Sequence, residues 1–283
     1  MSFSVDYLSQ LERFAERGPL PRIRALHLPP DPGANLDNRG EFCALELDDG
    51  SVGISYVLLD DTLARLRAAG AGLDLVGTDP LTLARRYVSG TGLDKTLGFA
   101  CANALTRCLF DRAGYAPPAS GDSIGELDPQ PGERIGMIGY FKPLLGRVLE
   151  TGAGLTVIEL KAELAGERDG YRVTLDAREL STCSKVLSTS TILLNDTLDT
   201  MLGYCRKAQK LALIGPSAGC LPDALFARGV TFLGGNWVSD RSAFIDALES
   251  GESQKGAARK VALTPEHYPG LDALLARIGF PSA

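Results

Sequence analysis

The chain changes its pattern of apolar and polar positions partway along, and the change divides it. Apolar residues first recur at helical spacing over 5–16, then follow strand patterns over 22–28 and 41–47. Asp49-Gly50 is a two-residue hairpin signal, and 52–59 returns as the next strand. Past Asp60 and Asp61, either of which can cap a helix, the spacing is helical to 69. Asp79-Pro80 opens a second helix, with proline at its first position. Residues 93–110 form a third that is apolar on several faces and so expected to be buried; packing against a second copy of the chain is the competing use. A meander of strands followed by helices specifies an α+β unit.

Residues 116–133 hold four prolines and little periodicity, which marks a linker. Beyond it the pattern alternates regularly. Strands are predicted at 134–139, 155–160, 185–189, 210–215 and 230–233. Helices are predicted between and after them at 143–151, 176–183, 196–208, 222–228 and 241–250, with a last one at 271–278. Five strands alternating with helices specify a doubly wound parallel sheet. The expected fold class is therefore α/β: a Rossmann-like parallel sheet over 130–283, preceded by a smaller α+β domain over 1–120.

Composition narrows the uses of such a fold. The chain has 283 residues, 45% hydrophobic and 23% charged, as in an ordinary globular protein. The net charge of −6, with no dense run of Lys and Arg, argues against a nucleic-acid partner. No apolar run approaches the roughly 20 residues that cross a bilayer. The first residues lack the basic-then-apolar layout of a leader, so no membrane partner and a cytoplasmic location are expected. None of the six cysteines forms a C-x-x-C pair, and the two histidines, His27 and His267, stand apart from them. Cys101 and Cys108 share a helical face but lie about 10 Å apart along it, too far for one tight zinc ion. No G-x-S-x-G elbow or Cys-His spacing supports nucleophilic hydrolysis.

Ligands of open parallel sheets bind beyond the carboxyl ends of the strands. Two hydroxyl-rich loops stand there, around Ser190-Thr191 and at Gly215-Pro216-Ser217-Ala218-Gly219. Asn195 reads as an N-cap with Asp196 and Asp199 in the first turn, a local chemistry suited to a cation, an amine or a sulfonium rather than a phosphate. Glu159 ends the second strand, where an acid can hold ribose hydroxyls. Gly136 and Gly139 give only G-x-x-G before bulky Tyr140 and Phe141, which obstruct a pyrophosphate. Lys142 attracts an anionic ligand if it points inward and is a surface charge if it does not. Asn236 and Trp237 follow the fifth strand, where they wall a pocket or pack under the last helix.

These residues are similar to those of a known family. Ser190-Thr191 with Asn195-x-Thr197-Leu198, then Gly215-Pro216-Ser217, then Gly229-Val230-Thr231 and Asp240 are its most specific pieces. Gly53-Ile54-Ser55-Tyr56, Ala102-Asn103-Ala104-Leu105 and Gly139-Tyr140-Phe141-Lys142-Pro143 add to them, the last with an extra residue, Lys142, before the proline. The chain resembles, over nearly its whole length, the bacterial and archaeal heavy-metal chelation proteins, which pair an enolase-N-terminal-like domain with a Rossmann-like one. The resemblance implies that fold and a ligand cleft between the domains. The function expected is binding or handling of a metal ion or small metal chelate, with Tyr140, Phe141, Lys142, Glu159, Ser190, Thr191, Asn195, Gly215, Pro216, Ser217 and Asn236 as the ligand-binding set. A divalent metal or its chelate is the cofactor-like partner, and a homodimer the default assembly. The alternative is a transferase that uses S-adenosylmethionine or another nucleoside cofactor on a small molecule.

Overall fold

Two sheets of opposite character organise the computed structural model, which describes residues 1–31, 41–122 and 124–279. Helix α1 (Phe3–Ala15) buries Phe3, Tyr7, Leu11 and Phe14, a stripe at the three-to-four spacing of one helical face. Strands β1 (Ile23–His27), β2 (Phe42–Leu47) and β3 (Val52–Tyr56) form a small antiparallel sheet in that order. The Asp49-Gly50 turn closes the β2–β3 hairpin, with Gly50 at φ +87° and Ser51 N donating to Asp49 Oδ1 at 3.0 Å.

Helices α2 (Thr62–Ala69), α3 (Pro80–Ala84), α4 (Arg86–Ser89) and α5 (Gly92–Arg112) follow. Asp79 caps α3 as its sequence predicts, accepting from Thr82 N at 2.8 Å. Asp61 stands at the N-cap of α2, where its carbonyl accepts from Arg65 N at 3.0 Å, but its side chain caps no helix N–H and lies 3.9 Å from the Arg65 guanidinium one turn on. The long helix α5 is buried inside the molecule, which disposes of its use as a face for a second copy. Its contact with β3 depends on Gly53: a Cβ there would stand 2.1 Å from the carbonyl oxygen of Ala100.

Charge fastens the small sheet to the rest. Glu46 on β2 is only 4% exposed. It meets Arg241 Nη1 at 2.5 Å, His27 Nε2 at 3.1 Å and Arg24 Nε at 3.7 Å, while His27 Nδ1 reaches Glu249 at 2.7 Å.

The large sheet begins with β4 (Arg134–Ile138), followed by α6 (Lys142–Leu149) and β5 (Gly154–Ile158). A hairpin of β6 (Gly166–Arg168) and β7 (Tyr171–Thr174) comes next, then β8 (Lys185–Thr189), α7 (Leu198–Tyr204), β9 (Lys210–Ile214) and α8 (Asp223–Phe226). The last elements are β10 (Phe232–Val238), α9 (Arg241–Ser250), β11 (Ala258–Leu263) and α10 (Leu271–Ile278). Across the sheet the order is β11-β10-β9-β8-β4-β5-β7-β6. The six parallel strands, numbered along the chain and read from β7 to β10, run 3-2-1-4-5-6, the order of a doubly wound nucleotide-binding sheet. Antiparallel strands close both edges, β6 on one side and β11 on the other.

Alternation along the strands splits the side chains between two faces. Ile135, Met137, Leu155 and Val157 join Leu145 and Val148 of α6 in one cluster. Ile138, Ile158, Val186 and Leu213 join the larger core, which also holds Tyr7, Leu97, Ala104 and Cys108 from α1 and α5. The two sheets thus share one apolar core.

The sequence reading needs correction in three places. The large sheet has eight strands rather than five, because 161–175 folds as the β6–β7 hairpin and 258–263 pairs with β10. Strand β10 runs on to Val238, so Gly234, Gly235, Asn236 and Trp237 lie within it. The helix expected over 196–208 is only α7, Leu198–Tyr204. Of the linker 116–133, residue 123 lies outside the described residues. Among the described residues no helix is long and apolar enough to cross a membrane.

Candidate functional site

The strand order reverses between β4 and β8, and the crossovers leave in opposite directions there. A crevice opens beyond the carboxyl ends of such strands. In this protein it is a cavity of about 570 Å³, within the usual range for small-molecule sites. Its floor comes from the loops after β4, β5, β8 and β9. Its other wall comes from the small sheet: Glu41 and Phe42 at the start of β2, Tyr56 at the end of β3, then Leu58 and Leu59.

Each loop has a local reason for its shape. After β4, Gly139 takes φ +88°, and a Cβ there would stand 3.0 Å from Thr189 Cγ2, so only glycine lets these two strand ends lie so close. Tyr140 follows, its hydroxyl 2.8 Å from that of Tyr171, and Phe141 stands at the N-cap of α6. After β8, Thr189 Oγ1 accepts from Thr191 N at 3.2 Å, turning the chain so that Ser190, Thr191 and Ile192 line the cavity. Asn195 is not the N-cap of the following helix. Its Oδ1 accepts from Thr197 N at 3.2 Å and Thr197 Oγ1 at 2.6 Å, an Asx turn ahead of α7, whose N-cap is Thr197.

After β9, Gly215 sits at φ +154°, where a Cβ would lie 2.1 Å from Ser190 Oγ. The glycine lets the two loops meet, and Ser190 Oγ lies 2.9 Å from Ser217 Oγ. Tyr140, Phe141, Glu159, Ser190, Thr191, Asn195, Gly215 and Pro216 therefore surround one cavity. Three of the expected residues are elsewhere. Ser217 is buried behind the loop at 1% exposure, bonded to Ser190. Lys142 is exposed on the first turn of α6 and points to solvent, because Pro143 rather than Lys142 meets the cavity. Asn236 lines a separate void of about 40 Å³ with Asn103, Arg107 and Trp237, the Arg107 guanidinium stacked 3.9 Å from the Trp237 ring centroid.

The charges at the cavity also differ from expectation. Asp196 pairs with Lys95, and Asp199 with Arg228 at 3.1 Å, and neither lines the cavity. The acids that face the cavity are Glu159 and Glu41. Glu159 Oε1 accepts from Leu160 N at 2.7 Å, which turns the carboxylate back on its own loop. Burial pushes the Glu41 carboxyl up from its ordinary value. Burial raises the Tyr56 phenol too, and the charges of Glu41 and then Glu159 raise it further. Glu41, Tyr56, Leu58 and Leu59 carry no local motif; only the folding of the small sheet over the crevice brings them there.

The side chains around the cavity offer oxygens, from carboxylates, phenols, hydroxyls and one amide, together with the ammonium of Lys161. Among the described residues no three His, Cys, Asp or Glu side chains converge on a common point. All six cysteines are buried. Burial raises every thiol, Cys43, Cys205 and Cys220 to about 12, so the thiolate that a soft metal requires is disfavoured throughout. A bare thiophilic ion does not fit these residues.

Residues 122–265 match the family model DUF364, described as "Putative heavy-metal chelation", and 40–106 match DUF4213, of the same description. An uncharacterized protein of Methanocaldococcus jannaschii is 28% identical over 183 residues, covering 62% of this chain and 67% of that one. A DUF364 protein from Pyrococcus horikoshii, solved by crystallography, superposes with a TM-score of 0.68 at 20% identity, over 93% of this chain and 100% of the other. Another, from Desulfitobacterium hafniense, gives 0.63 at 16% identity over 93% and 98%. These likenesses show the fold.

Proposed function

We propose, from the premise that the chain belongs to the DUF364 family, that it binds and handles a small metal chelate in the cavity between its two sheets. The ligand brings its own coordination sphere, and the protein supplies the shape and the hydrogen bonds. The observation that carries this reading is the cavity of about 570 Å³, ringed by oxygen donors while every thiol lies elsewhere, buried. Such a cavity suits a metal already wrapped in organic donors, whose polar rim the hydroxyls of Ser190 and Thr191 and the Asn195 amide can meet. We assign the binding to two units, 1–120 and 130–283, that close over the ligand.

A nucleoside cofactor is the second reading, favoured by the 3-2-1-4-5-6 strand order with Glu159 at the end of the second strand. Against it stand Tyr140 and Phe141 in place of a glycine-rich turn, and the inward fold of Glu159 onto Leu160 N.

Native mass spectrometry of the freshly purified chain, with elemental analysis of the same sample, separates the two. A near-stoichiometric adduct containing metal and organic mass supports the chelate. A metal-free nucleoside mass supports the second reading. A bare metal ion held without organic mass sinks the first.

A further inference from the structure

Three polar tethers reach the cavity loops from residues that line no part of it. Tyr87 on α4 is buried, and its hydroxyl donates to the Leu193 carbonyl at 2.5 Å. Lys95 on α5, itself 7% exposed, pairs with Asp196 across more than a hundred residues of chain. Asn103, two turns further along α5, donates from Nδ2 to the carbonyls of Ile54 at 2.9 Å and Ser217 at 3.0 Å. Its Oδ1 accepts from the Tyr7 hydroxyl at 3.1 Å. Leu193 and Asp196 lie in the loop that presents Ser190, Thr191, Ile192 and Asn195 to the cavity, and Ser217 lies in the loop that presents Gly215 and Pro216.

One of these anchor points is under strain. Asp196 has φ +59°, in the left-handed region, although it is not a glycine. Such a conformation costs free energy and persists where surrounding contacts impose it. The contact on hand is the Lys95 ammonium, whose own burial leaves it facing the Asp196 carboxylate, while that side chain is 74% exposed on its other sides. The strain and the ion pair meet one residue beyond Asn195, so the geometry of the loop depends on a catch outside the cavity.

We propose that Lys95 and Tyr87 are positioning residues: from α4 and α5 they hold the 190–196 loop in the shape that accepts a ligand. The inference rests on the cavity being the binding site. It makes the helical layer a part of ligand recognition without contact to the ligand, and it ties the loop's order to the packing of α5.

The test uses the full chain with Lys95→Met, which keeps length and suits a buried position, and Asp196→Asn, which tolerates left-handed backbone. The probe is the nickel(II)–histidine complex, titrated by calorimetry. Hydrogen exchange is followed in peptides covering 189–197 and in control peptides from β4 and α5. Both variants should bind the complex about tenfold more weakly, and the double variant no worse than either single one. The thermal midpoint should stay close to the parent's in Lys95→Met and in the double variant, and fall in Asp196→Asn, which leaves the buried Lys95 ammonium without its counter-charge. Faster exchange should be confined to 189–197. Unchanged affinity, or a loss that only tracks a fallen midpoint, overturns the proposal. If the parent does not bind the complex, the chelate reading fails, and exchange alone decides here: an increase confined to the loop supports the catch, and an increase that is absent or spread through the fold overturns it.

Discussion

Glu41, just ahead of β2, and Glu46, near its far end, lie five positions apart and meet opposite surroundings. Glu46 is sealed among Arg24, His27 and Arg241 and joins the small sheet to α9. Glu41 is half-buried at the rim of the cavity, and burial raises its pKa with no lowering influence beside it. A carboxylate enclosed by cations is part of the framework. One left half-desolvated beside a cavity is held at a cost to stability, which is the usual condition of groups that meet a ligand. The odd spacing of Glu41 and Glu46 turns them to opposite faces, and the element packed over each face sets the rest.

The contrast breaks most sharply at Glu46. Replacing it by Gln removes the buried charge that Arg24, His27 and Arg241 share, while both guanidiniums keep access to water, and we expect a loss of about 2 kcal/mol in urea unfolding. A loss below about 1 kcal/mol would put Glu46 in the same class as Glu41. At the cavity end, Gly215→Ala drives a Cβ into Ser190 Oγ and strains the backbone, for about 2 kcal/mol on the same assay. Near-parent stability there would mean that the Ser190–Ser217 contact is dispensable.

Glu41→Gln should have the opposite sign. The folded carboxyl has a raised pKa, so ionisation above it favours the unfolded chain. At pH 7 the variant should melt higher than the parent. The advantage should shrink as pH falls through the raised value and vanish below the ordinary carboxylate range, where both states are protonated. Melting curves from pH 3 to 8 check this, and a Gln variant less stable at pH 7 would show that Glu41 has a compensating partner. The smallest effect belongs to Lys142→Ala, which should change stability by less than about 0.5 kcal/mol and leave binding of the nickel(II)–histidine complex untouched, because the side chain faces solvent.

Much of the fold was legible because its signals are local. The alternation that predicts five parallel strands, the Asp49-Gly50 hairpin and the Asp79 cap all depend on residues near in sequence. The β6–β7 hairpin carried a signal of the same kind, Asp169-Gly170, set between two runs too short and too charged to stand out as strands. Strand β10 was cut short at Gly234-Gly235, where glycine lowers strand propensity. Those glycines exist for close approach: a Cβ on Gly235 would lie 2.5 Å from the Ala218 carbonyl oxygen. Asn195 looked like a helix cap because the Asx turn uses the same side-chain geometry two residues earlier. The site was half legible. Loops at strand ends could be placed from the pattern, whereas the Glu41–Tyr56 wall and the Lys95–Asp196 pair arise only when distant segments pack.

Helix α5 contributes to an apolar core that holds residues from both sheets, together with Leu221, Leu225 and Leu274 from the carboxyl-terminal half. The consequence concerns cooperativity. Neither sheet can lose its packing without stripping the same helix, so melting should be a single transition with equal calorimetric and van't Hoff enthalpies. A protease cut in 116–133 would leave two pieces that still need each other, each exposing the seam on which the other was folded.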